Sequence, residues 1–162
     1  MIELRNVKRT YVTGEVQVHA LRGIDLDVNR GEFVAIAGPS GSGKTTLMNI
    51  VGTIDQQNEG SVKIEDVDTG SMNKVQRADY RRREMGFVFQ SYNLIPVLTA
   101  VENVSFALTL LGVPSREADQ RAREILGEVG LAGMEDRIPA KLSGGQQQRV
   151  AIARALIKEP KI

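Results

Sequence analysis

The most informative stretch of this chain is Gly38-Pro39-Ser40-Gly41-Ser42-Gly43-Lys44-Thr45-Thr46. It matches the phosphate-binding loop (P-loop) G-x-x-x-x-G-K-[ST], whose glycines let successive backbone N–H groups point at a phosphate. A helix that begins at the end of such a loop adds the positive end of its dipole. Lys44 can reach the β- and γ-phosphate oxygens, and the Thr45 hydroxyl can ligate Mg²⁺. The motif therefore predicts a nucleoside triphosphate site that uses the whole stretch.

The residues on both sides of this loop support the prediction. Residues 33–37, Phe-Val-Ala-Ile-Ala, form a continuous apolar run, which is typical of a buried parallel strand. Residues 46–51 continue the loop as a helix. A Gly/Ser-rich surface turn before a helix is the structural alternative, but it gives no reason for the apolar run. The sequence thus predicts a strand, a phosphate loop and a helix in succession.

Composition narrows the class of protein. The 162 residues suit one domain, and 21 Lys plus Arg against 20 Asp plus Glu give no reason to expect nucleic acid as a partner. The run Arg81-Arg82-Arg83 is interpreted as a solvated helix face, and the single histidine, His19, as structural. The absence of cysteine excludes disulfides and thiolate metal sites and suits the cytosol. No run approaches the roughly 18 apolar residues of a membrane span, so membrane association is expected through a partner.

The first half of the chain is predicted to be rich in strands. Apolar and polar residues alternate near the N-terminus as in half-buried antiparallel strands, with apolar positions at Ile2 and Leu4, at Val16, Val18 and Ala20, and at Ile24, Leu26 and Val28. Residues 60–65 alternate in the same way. Residues 74–83 indicate a polar helix, and residues 86–89 a second buried strand that ends at Gln90.

The second half indicates helices. Thr99 with Glu102 makes a capping box before a helix, a second helix runs from Pro114 to Gly130, and a third follows Ser143 to about residue 158. We predict one domain in three parts: a β-rich lobe at 1–90, a helical subdomain at 91–141, and a motif with its helix at 142–162.

A second motif, Leu142-Ser143-Gly144-Gly145-Gln146, precedes the last helix. Ser143 and Gln146 fit a capping box, which is the structural alternative. Capping does not explain the glycines, because each costs about 1 kcal/mol relative to alanine in a helix. Close backbone approach, with a phosphate at the helix N-terminus, is the natural reason for them.

With these two motifs the chain resembles the ATP-binding cassette (ABC) ATPases over nearly its whole length. Gln90 resembles the family's Q-loop glutamine, and residues 142–146 followed by Gln-Gln-Arg resemble its signature. Tyr11 lies where the family keeps an aromatic ring that stacks on adenine; an ordinary strand tyrosine is the alternative. The sequence around Tyr11, Gln90 and the signature is most similar to that of the subfamily of macrolide-exporter and lipoprotein-releasing ATPases. The resemblance implies an α/β P-loop NTPase fold of ABC type, with an antiparallel β-subdomain, a partial parallel core sheet and a helical subdomain.

The resemblance also implies a function and partners. In the family two cassettes close head to tail on ATP and Mg²⁺, so Ser143, Gly144, Gly145 and Gln146 would contact the nucleotide of the second subunit. Gln90 would sense Mg²⁺ and the attacking water, and a transmembrane permease would dock near Gln90 and the helical subdomain. This places the chain in the cytoplasm, at the inner face of the membrane. A soluble ABC protein acting in DNA repair or translation is the alternative, as is a nucleotide-binding remnant without turnover.

The sequence departs from the family pattern at its end. No apolar strand with a Walker B aspartate, no catalytic glutamate and no switch histidine follows the signature within the 162 residues. We therefore expect the C-terminal part of the core sheet to be missing, the residues 33–37 strand to lack neighbours, and the chain as written to show no ATP turnover. A fragment of a longer protein is the favoured explanation.

Overall fold

The alternating segments at the N-terminus form a long antiparallel hairpin in the computed structural model, which describes residues 1–162. Strand β1 (Ile2–Thr13) pairs with strand β2 (Val16–Val28), and Gly14 turns the chain between them with φ 61°. The pairing sets Tyr11 opposite Val18. Because positive φ is free of steric cost only for glycine, Gly14 suits this tight turn. The predicted strands are confirmed, joined into two, but the expected burial is wrong at the hairpin tip, where Val16 and Val18 are 63% and 55% exposed.

Two further strands and a helix complete the first of two compact units, Met1–Asp79. Strands β3 (Glu59–Ile64) and β4 (Val67–Asp68) extend the sheet in the order β2-β1-β3-β4, all antiparallel. Helix α1 (Lys44–Val51) follows the phosphate loop, as predicted. The buried apolar residues of this unit include Leu4, Val7, Leu21, Leu47, Ile50, Val62 and Ile64.

The second unit, Tyr80–Ile162, is helical. Helix α2 (Lys74–Glu84) crosses the division with no buried residue, which agrees with its predicted polar character. Helices α3 (Ala100–Thr109), α4 (Ser115–Glu128) and α5 (Gly144–Leu156) follow, with a 3₁₀ turn at Pro139–Lys141 before α5. Apolar side chains at helical spacing form one core, including Val101, Val104, Leu108, Ala118, Ala122, Leu126, Val150 and Ala153. The three predicted helices are confirmed, and so is the Thr99–Glu102 capping box.

The two predicted buried parallel strands are wrong for this chain. Residues 33–37 and 86–89 belong to no sheet, and Phe33 is 96% exposed. A strand is stabilised by a hydrogen-bonded neighbour, and none of the four strands pairs with these segments. Gly86 is joined by a backbone hydrogen bond to Ile162 (2.7 Å), which is too little pairing for a strand. No helix is long and apolar enough to cross a membrane.

Candidate nucleotide-binding site

The phosphate loop takes its shape from glycine. Gly38, Gly41 and Gly43 have φ of 155°, 80° and 91°. A Cβ on Gly43 would lie 2.5 Å from the carbonyl oxygen of Ala20 on β2, so the end of the loop rests directly on that strand. Residues with a side chain rarely adopt this backbone conformation, and a side chain would not fit at this position. The loop is therefore held in a curl that only glycine at position 43 permits.

Lys44 lies across the mouth of this curl. Its Nζ donates hydrogen bonds to the carbonyl oxygens of Gly38 (2.8 Å) and Pro39 (2.7 Å) and contacts the Ser42 hydroxyl at 3.5 Å. Helix α1 begins at this lysine with Gly43 as its N-cap, and neither a side-chain cap nor an acidic residue satisfies its first turn. An ammonium group and uncapped N–H donors converge on one place, which is the chemistry that binds a polyphosphate.

A cavity of about 380 Å³ lies above the loop and extends to the β1–β2 hairpin. Its lining comes entirely from the first unit: Tyr11, Val18, His19, Ala20, Ser40, Gly41, Ser42, Gly43, Lys44, Thr45 and Thr46. An aromatic ring and apolar side chains line one part, and phosphate-binding groups line the other. This division fits a nucleotide, whose base is flat and whose phosphates are anionic. His19 also contacts the Thr10 hydroxyl across the hairpin through Nδ1 (2.9 Å), which supports its structural interpretation.

Tyr11 is held by two side chains that sequence reasoning missed. Its hydroxyl donates to Asp55 Oδ2 at 2.7 Å, and the Arg9 guanidinium carbon lies 4.6 Å from its ring centroid. Arg9 also donates two hydrogen bonds to Asp55, at 3.0 and 2.9 Å. Burial by itself raises the pKa of Asp55, but hydrogen bonds from Tyr11 and the Gln56 backbone and the charge of Arg9 outweigh it and lower the pKa. Tyr11 and Asp55 are 44 positions apart in the sequence, and no sequence pattern joins them.

Thr45 is the predicted Mg²⁺ ligand that lies in this cavity. It is exposed in the first turn of α1, next to Lys44, and its hydroxyl is an oxygen donor of the kind that Mg²⁺ prefers. Gln90, the other predicted Mg²⁺ ligand, belongs to the second unit and is exposed. The residues of the loop therefore fit a polyphosphate with Mg²⁺, and Thr45 offers a hydroxyl oxygen beside Lys44.

The signature residues form the N-terminus of α5. Ser143 is the N-cap: its hydroxyl accepts from the Gln146 N–H at 3.3 Å, and the Gln146 side chain accepts from the Ser143 N–H at 2.9 Å. A Cβ on Gly145 would meet nothing within 4 Å, and one on Gly144 would meet only the Tyr92 hydroxyl at 3.6 Å. Neither glycine has positive φ. Packing within the chain therefore gives no reason for glycine at these positions.

The segment after Gln90 is fixed to α5 by an arginine that no sequence motif indicates. Arg154 donates to the carbonyl oxygens of Asn93 (2.6 Å) and Tyr92 (2.7 Å), and burial lowers its pKa. Tyr92 and Asn93 both have positive φ, 60° and 47°. A left-handed conformation costs such residues roughly 1–2 kcal/mol each, so two charge-assisted hydrogen bonds are needed to hold it. The signature helix and the segment following Gln90 are thus one structural piece.

These features together define a P-loop nucleotide-binding protein: the phosphate loop with Lys44, the uncapped N-terminus of α1, and Tyr11 in the cavity lining. The ABC transporter family profile matches residues 21–162, and the chain belongs to that family. It is similar to an ABC transporter ATP-binding protein of Thermotoga maritima, with 51% identity over 160 residues, 99% of this chain and 68% of the relative. It is also 48% identical, over 164 residues, to the macrolide export ATP-binding/permease protein MacB of Syntrophobacter fumaroxidans, covering 100% of this chain and 23% of the relative.

Solved structures agree with the assignment. The chain matches the dimeric post-hydrolysis structure of the ATP-binding cassette MJ0796 bound to ADP and Pi, with TM-score 0.91 and 45% identity over 99% of this chain and 71% of that one. A protein of that name is found in Methanocaldococcus jannaschii. The predicted ABC-type α/β fold and the suggested subfamily are confirmed, and the soluble repair or translation alternative is not favoured.

Proposed function

We propose that this chain is the nucleotide-binding part of an ABC transporter subunit that binds MgATP and hydrolyses it in a head-to-tail dimer to drive a membrane partner. The contact of the Lys44 ammonium with two loop carbonyls, at the mouth of a cavity walled by Tyr11, is the observation that carries the proposal. A triphosphate that enters the loop offers this ammonium stronger, anionic acceptors than neutral carbonyls. The family membership and the relative bound to ADP and Pi support an adenine nucleotide as the ligand.

Each group in the cavity has its own role in binding the nucleotide. The loop amides and the N-terminus of α1 bind the phosphates, Lys44 neutralises their charge, and Tyr11 stacks on the adenine. Thr45 and Gln90 are the residues that would hold Mg²⁺, which supplies further neutralisation of the phosphates when bound. Gln90 also orients the attacking water.

The signature residues act on a second subunit. Ser143, Gly144, Gly145 and Gln146 would contact the γ-phosphate of the nucleotide that the partner subunit holds. The room for a methyl group at both glycines supports this role, because nothing in the chain itself requires their lack of a side chain. The γ-phosphate is then shared by both subunits, so its loss removes the differential affinity that favours closure.

The second unit supplies the surface for the membrane partner. A groove of about 210 Å³ beside α3 includes Phe87, Phe89, Phe106 and Leu110 in its lining, and Phe89, Phe106 and Leu110 are exposed. An apolar groove adjoining the residues around Gln90 suits a docked segment of a transmembrane permease. Such docking places the chain at the cytoplasmic face of a membrane. The permease fused to the MacB relative supports this kind of partner.

The phosphate assignment is tested by replacing the lysine. Lys44→Ala should abolish MgATP binding in isothermal titration, because it removes the only side-chain cation of the loop. Lys63→Ala, at an exposed position on β3 of the same unit, is the matched control and should bind as the parent does. Unchanged affinity of Lys44→Ala would refute the assignment of the loop.

The proposal also predicts what residues 1–162 do alone. They contain no acidic residue after an apolar strand beyond the signature, and general-base help of that kind is worth about 10²–10⁴-fold in rate. Phosphate release by 1–162 should therefore stay at background while a version extended past a Walker B strand turns over. Equal rates in the two would show that turnover does not depend on such an acid.

A further inference from the structure

The tyrosine of the cavity is fixed from outside the cavity. Asp55 accepts from the Tyr11 hydroxyl (2.7 Å) and from two nitrogens of Arg9 (3.0 and 2.9 Å), and the Arg9 guanidinium stacks on the ring. Neither Arg9 nor Asp55 lines the cavity, whereas Tyr11 does. The two charged residues therefore contact Tyr11 without being part of the cavity lining.

We propose that Arg9 and Asp55 are positioning residues for the nucleobase: they lock Tyr11 so that one ring face is covered and the opposite face is presented to the base. The inference rests on the proposed function. Arg9 and Asp55 are only 21% and 24% exposed at the side chain, so their ion pair is better protected from screening than the surface pair Arg5–Asp27, which is 50% and 54% exposed. A ring with a bonded hydroxyl and one covered face has lost its rotational freedom before a ligand arrives.

The same contact ties the base site to the phosphate site. Asp55 lies just after α1, and its backbone N–H donates to the Asn49 carbonyl of that helix at 3.0 Å. Its side chain thus connects the end of the phosphate-loop helix to Tyr11 on β1. Such an arrangement sets the distance between the stacking ring and the loop, which selects a ligand with both a base and a polyphosphate.

The test compares two probes, MgATP and magnesium tripolyphosphate, which has no base. By titration calorimetry, Asp55→Ala should weaken MgATP binding by about fivefold and leave tripolyphosphate binding within twofold, because base–aromatic stacking carries only the base part of the affinity. Tyr11→Ala should weaken MgATP binding by about tenfold. In the double variant the Asp55 effect should vanish, since it acts through the ring. Asp27→Ala is the matched control and should change neither probe.

The outcomes separate this inference from the proposed function. If the parent binds no tripolyphosphate, the phosphate-site assignment itself fails. Equal weakening of both probes by Asp55→Ala, or additive effects in the double variant, would show that Asp55 only supports the fold and would overturn the inference. If Asp55→Ala does not fold, Tyr11→Phe, which removes one hydroxyl, makes the same comparison: a loss of about threefold for MgATP alone is expected, and no loss would overturn it.

Discussion

When a glycine of the signature is replaced by alanine, we expect stability to rise and function to fall. Gly145→Ala introduces a methyl group where nothing lies within 4 Å, in the first turn of α5 and without positive φ. Glycine in a helix costs conformational entropy, so alanine should stabilise the fold by about 0.5 kcal/mol. In a chain of this size that corresponds to a rise in the melting temperature of roughly 1–2 °C.

The same methyl group should weaken the dimer. If the open space beside Gly145 receives the phosphate held by the partner subunit, a side chain there removes at least one hydrogen bond to a charged group, worth about 1.5–3 kcal/mol. This predicts ATP-driven dimerisation that is about 10- to 150-fold weaker. MgATP binding by the monomer should stay unchanged, because the phosphate loop lies in the other unit.

Thermal melts, calorimetry with MgATP, and sedimentation of the complete protein with a non-hydrolysable ATP analogue make the comparison. Gly127→Ala in α4 is the matched control: its Cβ also meets nothing within 4 Å, so it should gain similar stability and dimerise normally. Two results would refute the reasoning: a Gly145→Ala protein that dimerises as well as the parent, or one whose monomer loses ATP affinity as severely as Lys44→Ala.

Three further predictions concern single contacts. Arg154→Met should lower ATP turnover in the complete protein by about tenfold with little change in ATP affinity. Arg149→Met, which breaks a similar pair of carbonyl contacts at the end of α4, should cost stability alone. Equal turnover in the two would contradict a role of Arg154 in positioning the segment after Gln90. Gly43→Ala should abolish MgATP binding in calorimetry because its Cβ would lie 2.5 Å from a β2 carbonyl, while Gly41→Ala, with open space, should retain part of it. The pKa of Asp55 is lowered in the folded chain. Its contribution to stability is therefore present at pH values above the ordinary aspartate pKa and is lost as the pH falls through the folded pKa. In urea unfolding at several pH values, Asp55→Asn should lose less free energy of unfolding on acidification than the parent does.

Sequence rules found those parts of the molecule that depend on neighbours in the chain. The loop 38–46, the capping boxes at Thr99 and Ser143, and the ends of α4 follow from residues three or four positions apart. The apolar run at 33–37 has the composition of a buried strand, but a parallel strand forms only against another segment. None of the four strands in this chain pairs with it, so Phe33 is 96% exposed.

The residues that support the site, Asp55 and Arg154, could not be predicted from the sequence for a related reason. Tyr11 and Gln90 were found through resemblance to a family, which carries roles but not the contacts that fix a side chain. Asp55 reaches Tyr11 from 44 residues away, and Arg154 reaches Tyr92 from 62 away. Such pairs combine common residue types at arbitrary separations, so only the folded backbone brings them together.

The two glycine motifs differ in how their helices begin, and this difference predicts an order of binding events. At α1 the N-cap is Gly43, and no side chain caps the helix, so the N–H groups of its first turn are left for a ligand. At α5 the Ser143 hydroxyl and the Gln146 side chain already satisfy two donors reciprocally. A phosphate therefore gains more at the loop than at the signature, since at the signature it must compete with an existing cap. One subunit should accordingly bind ATP alone through its loop, and the signature of the second subunit should join only when a γ-phosphate is already in place.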